Sequence, residues 1–243
     1  TVSLASTVSL ADTASLADTI SKVKPSIVGV GTYLPTRRPP AKLLGTGFVV
    51  GGGTRVVTNN HVVDLILDKE KRERLVVFTG QGSKPLVLSA ELTAKDTKHD
   101  LAILTVDKKL PALQLAGVGL KREGEEFAFT GFPIGAVLGL YPVTHRGMIS
   151  SVTPIAIPAP SSKQLNAAKI SRLRTPTLVY QLDATAYPGN SGSPLYDIGS
   201  GEVIGVLNMV HVKTTKEDVL SKPSGISYAI PIKHAKKLLA TLQ

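Results

Sequence analysis

The octapeptide Tyr187-Pro188-Gly189-Asn190-Ser191-Gly192-Ser193-Pro194 sets a serine hydroxyl among glycines and prolines. Gly189 and Gly192 permit positive φ, so the chain can turn sharply and point the N–H groups of Gly189 and Ser191 the same way. Two backbone donors aimed like this form an oxyanion hole, each worth about 3–4 kcal/mol to a tetrahedral intermediate. Glycine, proline, asparagine and serine are also the residues of any surface turn, and eight letters do not separate the two.

A serine hydroxyl becomes a nucleophile only when a base takes its proton, so chemistry at Ser191 requires a histidine and, behind it, a carboxylate. Among five histidines, His61 follows the β-rich run Val56-Val57-Thr58 and two asparagines, at the start of a short predicted helix. That is the setting of a strand end opening on a cleft. His99, His145, His211 and His234 read as structural or solvated; His99 is flanked by Lys98 and Asp100 in a turn, and His234 lies in a basic C-terminal segment. Asp100 directly precedes the apolar run Leu101-Ala102-Ile103-Leu104, where its carboxylate can accept the Nδ1 proton of His61. The alternative for Asp100 is a turn residue at a strand start, and Asp96 nearby reads as a turn cap.

These groups need elements to hold them. Residues 1–18 carry a hexad repeat, TVSLAS, TVSLAD, TASLAD, and a short helix is expected from about Asp12 to Lys24, ended by Pro25. From Pro25 onward eleven short β-branched runs follow, separated by turn residues, which predicts an all-β chain of antiparallel barrels or a sandwich. The polar stretch from Leu115 to Glu126 divides the runs into two halves. The expected organisation is therefore an N-terminal extension at 1–24, a first barrel at 25–118 with His61 and Asp100, a second at 119–230 with Ser191, and a C-terminal helix at 231–243. Thr153 to Pro176, with four prolines, reads as a mobile surface loop.

Composition narrows the function. The 42% hydrophobic content supports a core, and the absence of cysteine removes disulfides, thiolate metal sites and a cysteine nucleophile together. No apolar run approaches the length that crosses a bilayer, so a soluble protein is expected. The net charge of +10 is dispersed, and its densest run, Asp68 to Arg74, alternates in sign, so no specific nucleic-acid site is expected. Gly51-Gly52-Gly53 lacks the lysine-serine pair of a phosphate cradle and reads as a hairpin turn. Neither metal nor cofactor is called for.

Five segments carry a family resemblance: GTGF at 45–48, TNNHVV at 58–63, DLAIL at 100–104, DATAYPGNSGSPL at 183–195 and GISYAIP at 225–231. In this order they resemble the trypsin-like serine peptidases, and more closely the high-temperature-requirement (HtrA/Deg) branch. The resemblance implies two six-stranded, chymotrypsin-like barrels and a serine endopeptidase with Ser191 as nucleophile, His61 as base and then acid, and Asp100 as orienter. Gly189 and Ser191 would supply the oxyanion hole. It also implies protein or peptide substrates, a periplasmic or secreted location, and a trimer as the family's usual assembly. Ser193 stands where the branch usually has glycine, and no peptide-binding PDZ domain is expected within these 243 residues. The position that holds an aspartate in lysine- or arginine-selective relatives is Thr185; with Ala186 and Tyr187 on one wall and Leu207, Asn208, Met209 and Val210 on the other, cleavage after small to medium aliphatic residues is expected. The alternative function is a catalytically silent binding module for a protein or polyanion.

Overall fold

The computed structural model describes residues 15–82, 85–133, 139–155, 177–208 and 226–242. Twelve strands form two closed antiparallel barrels of six. The first comprises β1 (Ile27–Tyr33), β2 (Ala41–Val50), β3 (Arg55–Thr58), β4 (Arg74–Thr79), β5 (Leu86–Asp96) and β6 (Leu101–Val106), in the order β1-β2-β3-β6-β5-β4. It closes because β1 pairs with both β2 and β4. The second comprises β7 (Glu126–Gly131), β8 (Val143–Ile155), β9 (Thr177–Asp183), β10 (Pro194–Asp197), β11 (Val203–Asn208) and β12 (Ile226–Pro231), and it closes through pairing of β10 with β7.

The strand missing from the eleven sequence runs is β10. It is four residues long, begins with proline, and follows the glycine-rich turn without a break. No β-branched run marks it, and what makes it a strand is its position between β11 and β7. The expected surface loop begins inside β8, which runs to Ile155; residues 156–176 lie outside the described residues, as does most of the hexad repeat.

Each barrel buries its own apolar interior. Val28, Val30, Val49, Val56, Val77 and Leu104 fill the first, while Phe127, Phe129, Ile149, Leu182, Leu195 and Leu207 fill the second. A third apolar cluster, containing Phe48, Val57, Leu101, Phe132, Tyr196 and Val206, joins the barrels. Helix α1 (Leu16–Val23), capped by Ser15, continues into a 3₁₀ turn over Lys24–Ser26, so Pro25 tightens the helix end where the sequence places a stop. Helix α2 (Asn60–Val63) is a single turn, and α3 (Ile232–Ala240) follows β12 directly. The terminal helices are crossed. Thr19 of α1, which precedes the first barrel, donates to the Gly199 carbonyl of the second, while His234 of α3, which follows the second, stacks on His99 of the first.

Candidate active site

His61 is delivered by the end of β3 and the turn of α2, and Asp100 by the turn before β6, two strands that are hydrogen-bonded neighbours. Asp100 adopts φ +52°, a left-handed conformation that aspartate tolerates better than most residues. Bent this way, its carbonyl faces Asn59 and Asn60, accepting from Asn59 Nδ2 at 3.0 Å and Asn60 N–H at 3.1 Å. Its carboxylate reaches forward: Oδ1 accepts the His61 N–H at 2.8 Å, and Oδ2 lies 2.5 Å from His61 Nδ1. Asp100 is thus both the turn residue and the partner of His61. The asparagines before His61 serve to lock the aspartate's backbone.

Asn208, at the end of β11, adds a third bond to the carboxylate, its Nδ2 donating to Asp100 Oδ2 at 3.0 Å. With Nδ1 of His61 and the Asn208 amide on one oxygen, and a backbone N–H on the other, the carboxylate fixes the imidazole with Nε2 directed away from it. Asn208, expected on a pocket wall, turns its side-chain amide to Asp100. Met209 and Val210, expected on the same wall, lie outside the described residues.

Ser191 sits in a turn stitched to both barrels. Asn190 N–H bonds to the Tyr187 carbonyl at 3.0 Å across Pro188 and Gly189, with Gly189 at φ +100° as a type II turn demands at that place. Gly192, at φ +87°, donates to the Leu207 carbonyl, and Leu207 N–H donates to the Ser193 carbonyl. The turn is therefore laid against β11 one residue before Asn208. A Cβ on Gly192 would fall on the Thr46 carbonyl of β2, so only glycine fits. Toward β2, the Ser191 carbonyl accepts from Thr46 N–H at 2.9 Å. Among the described residues, the N–H groups of Gly189 and Ser191 have no protein acceptor and no hydrogen bond joins Ser191 to His61. Such contacts commonly close only when substrate binds.

The flanks differ in chemistry. Thr185 is partly exposed, and Ala186 is buried, its N–H donating to Ser227 Oγ at 3.2 Å. His145 stacks on Phe129 with ring centroids 4.9 Å apart and lies 6.2 Å from the Tyr187 ring, its Nε2 buried. Burial pushes the His145 imidazole below its ordinary pKa, which favours its neutral form. On the other side, a cavity of about 370 Å³ borders His61 between Leu44, Ile66 and the Arg37–Glu73 ion pair. The bonds made by Thr46, Asn59 and Asn208 were not read from the sequence. Thr46 and Asn59 had a pointer in their places in GTGF and TNNHVV.

Residues 45–206 match the family model described as a trypsin-like peptidase domain. A probable periplasmic serine endoprotease DegP-like from Pseudomonas putida is 31% identical over 199 residues, covering 81% of this chain and 34% of that protein. The zebrafish (Danio rerio) serine protease HTRA1A is 30% identical over 231 residues, covering 91% of this chain and 40% of that protein. The chain thus spans about a third of the length of the curated relatives it matches. Among solved structures, an HtrA-type protease with a tripeptide superposes with a TM-score of 0.66 at 25% identity, covering 94% of this chain and 64% of that one. A protease from M. tuberculosis in its active form superposes with a TM-score of 0.65 at 23% identity, over 91% of this chain and 82% of that one, a likeness of fold.

Proposed function

We propose, from the premise that this chain belongs to the trypsin-like peptidase family, that it is a serine endopeptidase working through an acyl-enzyme. The observation that carries the reading is the Asp100 carboxylate, which holds His61 at both its N–H and its Nδ1 while Asn208 ties that carboxylate to the strand that also holds the Ser191 turn. Ser191 Oγ attacks the scissile carbonyl as His61 Nε2 takes its proton, and Asp100 stabilises the imidazolium that results. The N–H groups of Gly189 and Ser191 receive the oxyanion. His61 then returns the proton to the departing amine, and water, deprotonated by the same imidazole, hydrolyses the ester.

The pocket before the scissile bond has Thr185 where a carboxylate would pair a basic side chain. With Ala186 buried beside it, an arginine would lose hydration without gaining a partner, whereas a valine, alanine or leucine gains roughly 1–3 kcal/mol on burial. Cleavage follows small to medium aliphatic residues, and protein or peptide substrates in the periplasm or outside the cell fit this reading. A fluorophosphonate probe and a peptide library read by mass spectrometry test it. Labelling at Ser191 that is lost in Ser191→Ala, with aliphatic residues before the cuts, is expected; a folded, unlabelled wild type points to a binding module, and cuts after lysine or arginine overturn the pocket.

A further inference from the structure

Thr46 has no exposed surface, yet every polar atom it owns is bonded to a different piece of the site. Its hydroxyl donates to the Gly189 carbonyl at 2.7 Å and accepts the Phe132 N–H, just past β7, at 3.0 Å. Its N–H donates to the Ser191 carbonyl at 2.9 Å. Its carbonyl accepts from Thr58 Oγ1 at 2.7 Å, three residues before His61. One residue of the first barrel therefore grips the carbonyls on both sides of Asn190 and the strand that ends at the proposed base.

The grip matters because the turn's other bonds run from backbone to backbone, and none of them holds the Gly189 carbonyl. Asn190 is fully buried and neither amide atom of its side chain has a partner among the described residues; the same holds for the hydroxyl of the fully buried Ser193. The side chains flanking Ser191 thus fix nothing by hydrogen bonding. We propose that Thr46 is a positioning residue for the oxyanion hole, its hydroxyl fixing the Gly189–Asn190 peptide, which lies between the two peptide units that carry the Gly189 and Ser191 N–H groups, so that the turn is pre-organised for the developing charge. This rests on the reading of Ser191 as nucleophile and Gly189 as oxyanion donor, and extends it to a side chain that touches no substrate.

The chemistry of the hydroxyl makes the idea specific. It is one donor and one acceptor, both engaged, and valine is its isostere without either. Removing it leaves a buried carbonyl and a buried N–H unpaired, and the Gly189 carbonyl is then free to rotate toward another donor. Serine keeps both bonds and loses only a methyl group.

The test measures kcat and KM on an aliphatic peptide ester, with affinity for a peptide boronate against that for the corresponding product acid, in wild type, Thr46→Val and Thr46→Ser. Thr46→Val is expected to lower kcat at least about 10-fold, short of or near the roughly 100-fold loss that follows removal of an oxyanion donor itself. KM and product-acid affinity should stay within a few-fold, boronate affinity should fall with kcat, and Thr46→Ser should lie close to wild type. Wild-type kcat in folded Thr46→Val, an equal loss of boronate and acid affinity, or failure of Thr46→Ser to retain activity overturns the proposal. Should Thr46→Val not fold, Thr46→Ala against Thr46→Ser is read by the same criteria. A wild type that neither turns over nor labels with fluorophosphonate overturns the reading of the site and this inference with it, whereas an active wild type with an indifferent Thr46 overturns this inference alone.

Discussion

Two histidine–aspartate pairs occupy the two ends of one short turn. At its start Asp96 Oδ2 lies 2.6 Å from His99 Nδ1, and at its end Asp100 Oδ2 lies 2.5 Å from His61 Nδ1. Both aspartates also accept backbone N–H groups, those of Lys98 and His99 for Asp96 and that of His61 for Asp100. What separates the pairs is the far face of each imidazole. The His61 side chain is 41% exposed, while that of His99 is 14% exposed and its ring is covered by His234, with centroids 3.9 Å apart. A carboxylate fixing a histidine is therefore no sign of catalysis by itself. On the proposed reading the same device serves chemistry at the open ring of His61, and at His99 it docks a helix through another ring.

The comparison breaks most directly at Asp100. Asp100→Asn keeps the size but turns one of the two acceptor atoms into a donor, so an NH2 faces either the His61 N–H or the pair of His61 Nδ1 and the Asn208 amide, and His61 loses its fixed tautomer and the negative charge beside it. A fall in kcat on the order of 10³–10⁴-fold is expected, with the protein still folded. Circular dichroism and turnover on a peptide ester measure both, and a kcat within 10-fold of wild type would remove Asp100 from the site. Asp96→Asn is the reciprocal experiment. Burial works to raise the Asp96 carboxyl, but its hydrogen bonds from His99 and Lys98 outweigh this and hold it below the usual range. In Asp96→Asn the amide oxygen can keep the two backbone bonds, but the charge and the acceptor facing His99 Nδ1 are lost, which should cost about 1–3 kcal/mol, a drop of several degrees in Tm, while kcat stays within about threefold. A catalytic loss as large as that of Asp100→Asn, with Tm unmoved, would reverse the assignment of the two pairs.

Local pattern carried the barrels, because each strand longer than four residues is written as a β-branched run bounded by turn residues. It also singled out His61 and Asp100, polar residues beside apolar runs that the structure brings together, and Ser191 through the glycines of its turn. Pairings across the molecule left no such trace. Thr46 and Gly189 are 143 residues apart and Asn208 and Asp100 are 108 apart, so neither bond has a spacing or period to betray it. The stack of His234 on His99 and the seat of α1 on the second barrel belong with them. Each is decided by closure of the barrels, a property of the whole chain.

The smallest expected effect lies at the docked helix and appears only in acid. Burial, with further help from the neighbouring His99, Lys233 and Lys98 and against the pull of Asp96, pushes His234 down to about 4 from its ordinary 6.5. The unfolded chain therefore takes up a proton at this residue as pH falls through 6.5, whereas the folded chain refuses it until pH approaches 4. Stability is fully present above 6.5, declines across that window, and loses nothing more from this group below it. Asp96, whose carboxyl is held low, titrates beneath the window and does not mask it. Phenylalanine keeps a flat ring on His99 and removes the titration, and no hydrogen bond is lost at Nε2, which has no partner among the described residues. His234→Phe should thus have a Tm close to that of wild type at pH 7.5 and a higher one at pH 4.5. Parallel Tm curves for the two proteins from pH 7.5 to 4.5 would mean that His234 charges as readily in the fold as out of it, and that the stack on His99 does not depend on a neutral ring.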